Sequence, residues 1–438
     1  MLEGWGRFPS ARSCVVRRPE RQREVAPMVA AGPVVARGAG LAYGDAACNS
    51  SGAVLLTQRL DKFLEFDAAT GLVRCQAGVT LGDILAVAVP AGWFLSVTPG
   101  TARVSVGGSI ACDVHGKNHH VAGSFGNHVT NLRLLTGGGE EVDCSPTVRP
   151  DVFWATVGGM GMTGVVLEAS LQLMPVAGAN VVARNIATAD LDETLRVLDE
   201  HADGYYSVVW LDAGARGRRL GRGIVMLGEH AADSGPRIAP ALNRRHLPCG
   251  LPSGVLPLMG PAFNTALYAL YSRSAAPATV KLADYFYPLD KADNWNRLYG
   301  PRGFLEYQFV LPDHGAAALI VRMIEELQRC RLVSMLTSFK RMGPGNPAPL
   351  SFPMAGLACS FDLAASRAQA HAVLDLFDEW VAAAGGRVYL AKDGRLRPDV
   401  LDAMYPRRDE WLSVVQNLDP QARLRSDMER RLNLRRLA

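Results

Sequence analysis

Between residues 30 and 176 the apolar positions come in short runs broken by glycine: Pro33-Val-Val-Ala36, Ala53-Val-Leu-Leu56, Leu72-Val-Arg-Cys75 and Val165-Val-Leu-Glu168. Runs of this length, bounded by turn formers, predict strands. Helical stretches interleave over 80–89 and 151–156. The first opens on Thr80 with Asp83 three residues on, a capping box in which aspartate replaces the usual glutamate. Many short strands with few helices predict an α+β body and argue against regular βαβ alternation. Pro175 closes that body.

From 181 the texture changes. Leu191, Leu195 and Leu198 mark one stripe of an amphipathic helix over 190–201, and Tyr206-Ser-Val-Val-Trp210 reads as a strand. Further helices are predicted at 313–331 and 364–384, and strands at 304–311 and 356–362. Gly385-Gly386 leads into a last strand over 387–391. Residues 235–280 hold seven prolines among apolar residues, which predicts a long functional or mobile loop. The C-terminus is helical and rich in arginine (Arg423, Arg425, Arg430, Arg431, Arg435, Arg436). With Asp427 and Glu429 interspersed it reads as a solvated face; the other reading is contact with anionic lipid head groups.

Composition narrows the class. A chain of 438 residues with 48% apolar and 20% charged residues is neither disordered nor a small disulfide scaffold. A net charge of +4 gives no case for nucleic-acid binding. Eight scattered cysteines without a CxxC pair suit neither a zinc site nor a disulfide framework, so free thiols are expected. The N-terminus has no apolar signal-peptide core, and the longest apolar stretch, 84–97, is broken by Pro90 and Gly92.

Two small-residue segments carry the candidate chemistry. The first is Ala36-Arg37-Gly38-Ala39-Gly40-Leu41-Ala42-Tyr43-Gly44-Asp45. A dinucleotide loop of the βαβ type opens straight into a helix, but here turn residues follow. What remains is a nest of backbone N–H groups able to hold phosphate oxygens without lysine. The second is Pro99-Gly-Thr-Ala-Arg-Val-Ser-Val-Gly-Gly-Ser-Ile-Ala-Cys-Asp-Val-His-Gly-Lys-Asn-His-His120, where Gly107-Gly108 permit close approach to a flat ligand. His115, His119 and His120 raise a metal alternative. Their spacing lacks a carboxylate third ligand and Lys117 among them opposes a cation, so no metal is expected.

These two segments, with Gly71-Leu-Val-Arg-Cys-Gln-Ala-Gly-Val-Thr-Leu-Gly-Asp83 between them, resemble the vanillyl-alcohol-oxidase/PCMH family of FAD-binding proteins. DVHGKNHH, GSFGNHV (123–129), FWATVGGMGMTGVV (153–166), APLSFP (348–353) and AKD (391–393) are similar to its branch of flavin subunits of polyprenylphosphoryl-ribose epimerases, over nearly the whole chain. The resemblance implies a PCMH-type FAD-binding domain at 1–178, an inserted α+β cap at 179–386, and a segment, 387–438, returning to the FAD domain. It implies FAD contacts from Ala36 to Ala46, at Gly100, Ser105, Val106, Gly107 and Gly108, from Cys112, Asp113 and Val114 to His115, and at Val166 and Tyr389. The first loop lacks the histidine by which many relatives tether FAD, so non-covalent binding is expected.

The implied reaction oxidises the ribose 2-hydroxyl of a polyprenylphosphoryl-β-D-ribose to a ketone. An NAD(P)H-dependent reductase partner then completes epimerisation to an arabinose donor for cell-wall arabinan. By this resemblance Lys392 is the first catalytic candidate, as base or as electrostatic stabiliser, and His115 the second, for orientation or proton relay. Tyr43, Lys340, Gln308 and Cys359 would line the substrate pocket, Lys340 as a phosphate contact. The 240–280 stretch would be a lid whose Leu256, Leu258, Met259, Phe263, Leu267 and Tyr268 meet membrane or prenyl chain. The chain is thus expected in the cytoplasm or periplasm with peripheral membrane contact. Two departures stand out: the family's Trp-Asn-x-Cys reads here as Leu357-Ala-Cys359, one residue shorter, and Glu306 replaces a glutamine. Rival readings are an oxidase of another sugar or alcohol, an NADPH-dependent reductase on the same fold, and a non-enzymatic FAD-loaded subunit of a cell-wall complex.

Overall fold

A computed structural model describes residues 2–10, 13–232, 245–246, 255–273, 276–332 and 334–437. The first body holds two larger sheets and a two-stranded antiparallel pair of Trp93–Phe94 with Met174–Pro175. Strands β1 (Val15–Arg17), β2 (Val34–Arg37) and β3 (Ala53–Leu56) form a parallel sheet in the order β1-β3-β2. Strands β4 (Phe63–Asp67), β5 (Leu72–Gln76), β6 (Val129–Leu135), β7 (Glu141–Cys144) and β8 (Val165–Gln172) form an antiparallel one in the order β4-β5-β8-β6-β7. Helix α1 (Leu81–Ala88) carries the expected box: Thr80 Oγ1 accepts from Asp83 N and the Asp83 carboxylate accepts from Thr80 N. Its buried Leu81, Ile84, Leu85 and Ala88 recur at helical spacing and seal one face of the antiparallel sheet's core. The second glycine segment opens α2 (Val106–Ala111), with Ser105 as N-cap.

The second body is one eight-stranded sheet. Its strands are β9 (Asn180–Thr188), β10 (Tyr206–Leu211), β11 (Gly223–His230), β12 (Ala278–Lys281), β13 (Phe304–Leu311), β14 (Ser338–Met342), β15 (Gly356–Ala364) and β16 (Arg387–Val388). They lie in the order β12-β9-β11-β10-β14-β15-β13-β16, antiparallel throughout. The last strand is shorter than expected because the chain turns away after Val388. One face of β13–β15 presents Tyr307, Phe309, Phe339 and Phe361 to Ile320, Met323 and Ile324 of a helix at Asp313–Arg329 and to Val373, Leu374 and Phe377 of another at Ala368–Ala383.

Part of the proline-rich stretch is not a loop. Val255–Tyr271 is helical, with Pro261 inside it. Asn264 ties it down by donating to Asp212 Oδ1 and Ser334 O, and the Tyr268 hydroxyl donates to Thr188 O. Phe263 is exposed. The remainder of the expected lid, and the side chains of Leu256, Leu258 and Met259, lie outside the described residues.

The C-terminal arginines are not a solvated face. Arg431 bridges Asp45 and Asp393, and Arg435, 4% exposed, donates to the buried Asp419. Val34 N donates to Arg423 O and Arg425 N to Val34 O, so the end of the chain runs beside β2. Only Arg436 of the six stays exposed, paired with Asp402 and Asp409. The bodies are also clasped directly. Asp290 accepts from Thr101 Oγ1 and Ala102 N, and Thr98 Oγ1 bonds the Tyr287 hydroxyl.

Candidate active site

The chain after β2 runs through 38–46 without a helix, as its turn residues require. Among the described residues, the backbone N–H groups of residues 38–42 donate to no protein acceptor. The loop is held from behind, by Trp5 N donating to Ala42 O and Tyr43 N to Ala391 O. Gly38 lies against Ser105: a Cβ there would stand 1.9 Å from Ser105 Oγ. Gly107 packs on Ala77, where a Cβ would stand 2.9 Å from the Ala77 Cβ. Absent side chains therefore bring the two glycine segments together as one wall of a cavity of about 410 Å³.

The second body supplies the opposite wall through the period of two of its strands. Glu306 and Gln308 of β13, Ser338 and Lys340 of β14 and Ser360 of β15 line the cavity, while their neighbours in sequence face the helices. Tyr389, Ala391 and Lys392 complete the wall just after β16. Gln308 Nε2 donates to His115 Nε2 at 2.8 Å, joining the two walls.

This polar row is almost dry, and burial sets its charges. Lys392 Nζ lies 2.5 Å from Glu306 Oε1 and 4.0 Å from the centroid of the Tyr43 ring. Burial pushes the Tyr43 phenol well up, and Glu306 adds to that. Burial, with help from Lys392, pushes Lys340 down to about 8, against the pull of Glu306. Lys117, whose ammonium sits 3.9 Å from the Tyr285 ring centroid, is pushed down to about 7 by burial and by Lys340. Burial first, and then Lys340, with smaller contributions from His119 and Lys392, holds His115 far below the usual histidine range. It is a neutral imidazole whose Nε2 accepts from Gln308 and whose buried Nδ1 has no partner among the described residues.

Most expected contacts share this cavity. Ala36, Gly38, Ala39, Gly40, Leu41 and Ala42 line it with Tyr43 and Ala46; so do Gly100, Ser105, Gly107, Gly108, Cys112 and Val114, and then His115, Val166 and Tyr389. Five lie behind the wall instead. The Arg37 guanidinium turns to the carbonyls of Glu3 and Ala47. Gly44 packs on Asp393 O, Asp45 is engaged by Arg431, and Val106 is core. Asp113 is a buried hub for Ser124, Gly126, Asn346 and Ser351.

Cys359 is also displaced from its expected place. It is 1% exposed, sits among Phe309 and Phe339 on the helix-packed face, and burial drives its thiol far up. Its neighbour Ser360 takes the wall position. Lys117, Ser338 and Ser360 line the site and were not singled out; the alternation of β14 and β15 was the signal that would have found Ser338 and Ser360. Among the described residues no group of histidine, cysteine or acidic side chains is placed to hold a metal. His119 Nδ1 accepts from Gly343 N while His120 bonds Gly204 O.

Uncharged donors in the first wall suit the diphosphate of a dinucleotide. Such a two-walled fold is that of the FAD-binding oxidoreductases. Residues 15–145 match the FAD binding domain family. The chain is 38% identical to decaprenylphosphoryl-β-D-ribose oxidase of Mycolicibacterium smegmatis, over 99% of this chain and 97% of that one. It is 23% identical to L-gulono-1,4-lactone dehydrogenase of Mycobacterium tuberculosis, over 98% of each. A Streptomyces coelicolor protein of uncharacterized role is 37% identical over 81% of this chain and all of its own. The chain belongs to the decaprenylphosphoryl-β-D-ribose oxidase family of FAD-dependent oxidoreductases.

Proposed function

We propose that the protein oxidises the 2-hydroxyl of a polyprenylphosphoryl-β-D-ribose to the 2-keto sugar, and that a separate NAD(P)H-dependent reductase consumes the ketone. The observation that carries this is three lysines gathered on one cavity, Lys340 and Lys392 from the wall opposite the glycine segments and Lys117 from the end of the second segment. Cations in a dry site suit a phosphorylated sugar, and full-length likeness to an oxidase of that name supports the choice.

The Gly38–Ala42 N–H groups and the Gly107-Gly108 turn would hold FAD, which when bound would supply the two-electron acceptor. The protein supplies the rest. Lys340 contacts the phosphate, its charge restored when an anion replaces lost solvation. Tyr43 walls the sugar. His115 is a neutral imidazole oriented by Gln308 and is not a base. Lys392 handles the hydroxyl proton. The exposed Phe263 supports peripheral contact with a lipid surface; among the described residues no helix is long and apolar enough to cross a membrane.

The test is anaerobic bleaching of the protein's yellow colour by a panel of polyprenylphosphoryl pentoses. The ribose compound should bleach it and the arabinose epimer should not. Bleaching by NADPH alone would instead mark a reductase, and no bleaching by any sugar, alcohol or nicotinamide would mark a binding subunit.

A further inference from the structure

Glu306 and Asp362 stand directly opposite each other on β13 and β15. Lys392 reaches Glu306 from the turn after β16, and both line the cavity with side chains 21% and 15% exposed. An ammonium group has donors and no lone pair. Lys392 in this ion pair therefore takes up a substrate proton only by giving one away. The groups around the pair are Tyr43, Lys340 and Asp362. The phenol is held protonated and Lys340 is itself a cation. Asp362 Oδ1 is occupied by Ser334 Oγ and by the N–H groups of Met335 and Leu336, and among the described residues its unpartnered Oδ2 makes no ion pair with Lys392. Glu306 is the acceptor that Lys392 touches.

We propose that Lys392 and Glu306 form a proton relay in which Glu306 is the final acceptor of the proton lost by the substrate hydroxyl. The substrate O–H bond breaks as Nζ takes that proton. An Nζ–H bond breaks as its proton joins Glu306, and the hydroxyl oxygen's electron pair closes the C=O bond. The hydride from the carbinol carbon goes to the bound FAD. The pair begins as ammonium and carboxylate and ends as ammonium and carboxylic acid, one proton richer. Glutamine, which the resembling family carries at this position, has no acid–base chemistry to receive that proton, so the relay is a property of this chain. The alcohol's identity rests on the function proposed above; the relay itself does not.

Flavin reduction by prenylphosphoryl ribose, followed anaerobically across pH in the purified holoprotein, tests it. Glu306→Gln should cut the rate at neutral pH by at least about tenfold, change KM little, and recover towards alkaline pH. Glu306→Asp should stay within about threefold of wild type. Lys392→Arg retains a cation against Glu306, but a guanidinium does not release its proton, so the rate should fall by at least about 100-fold at every pH. Full activity in Lys392→Arg, or an unchanged rate and pH profile in Glu306→Gln, overturns the relay. A substrate-free readout stands beside these: acylation of Lys392 by acetic anhydride, quantified by mass spectrometry. It should run at least about fivefold faster in Glu306→Gln than in wild type, since Nζ is then no longer engaged by the carboxylate; equal rates reject the relay. If no sugar bleaches the wild type, the proposed substrate fails while the acylation ratio still decides the relay.

Discussion

Gln308 on the sheet of the second body donates to His115 Nε2, within the second glycine segment, at 2.8 Å. One bond thus closes the cavity across the two bodies, and it needs an unprotonated imidazole. His119 nearby is also held neutral, pushed down to about 4 by burial, with Lys340 and His120 adding to it.

That neutrality has a consequence for acid stability. Below the ordinary histidine value of 6.5 the unfolded chain takes up a proton at His119 that the folded chain refuses until about 4. The contribution of His119 is therefore intact above about pH 6.5 and declines as pH falls towards 4. By about pH 5 the loss should reach about 2 kcal/mol. Asp362, pushed up to about 7 by burial, acts in the opposite sense but equally in wild type and variant. Urea midpoints of wild type and His119→Gln should therefore converge as pH falls from 7.5 to 5. A constant gap would mean that His119 charges freely in the fold.

Strand register makes a second expectation. Cys359 faces the aromatic core and Ser360 the cavity. Iodoacetamide should leave Cys359 unmodified in the native protein, whereas Ser360→Cys should be alkylated rapidly and protected by a bound substrate analogue. Labelling of Cys359 in the folded wild type would show β15 turned the other way.

The glycine wall can be probed at Gly38. A methyl group there displaces Ser105 Oγ, which caps Gly108 N at 3.3 Å. Losing a cap costs about 1 kcal/mol. Gly38→Ala should lower the urea stability by that order and weaken FAD binding at least about tenfold, read by recovery of flavin fluorescence. Ser105→Ala removes the cap without filling the contact, so it should share the stability loss and retain most FAD affinity.

Arg431 should be among the costliest single losses. It carries the buried Asp45 and Asp393 at 2.7 and 2.9 Å. Arg431→Met would leave two buried carboxylates without their cation, a loss of about 3–5 kcal/mol by chemical denaturation. A change below about 1 kcal/mol would mean solvent reaches the pair.

Much of this was legible in local sequence. The runs at 53–56 and 304–311 are strands with the predicted ends, and Thr80 with Asp83 caps α1 as read. These features depend on neighbours a few residues away, and so did the rejection of a dinucleotide loop opening into a helix. The helix at Val255–Tyr271 was missed because its prolines argue locally for a loop; Asn264 and Tyr268, anchored to distant residues, override that preference.

The sequence by itself determined the strands at 53–56 and 304–311, the cap of α1, the glycine nest, and the absence of a lysine from it. Only the tertiary structure decided which side of β15 faces the cavity, where the C-terminal arginines go, and that Lys392 meets Glu306 across 86 positions of chain. The reason is physical: backbone preferences are set by adjacent residues, whereas the facing of a strand and the partner of a buried charge are set by what packs against them.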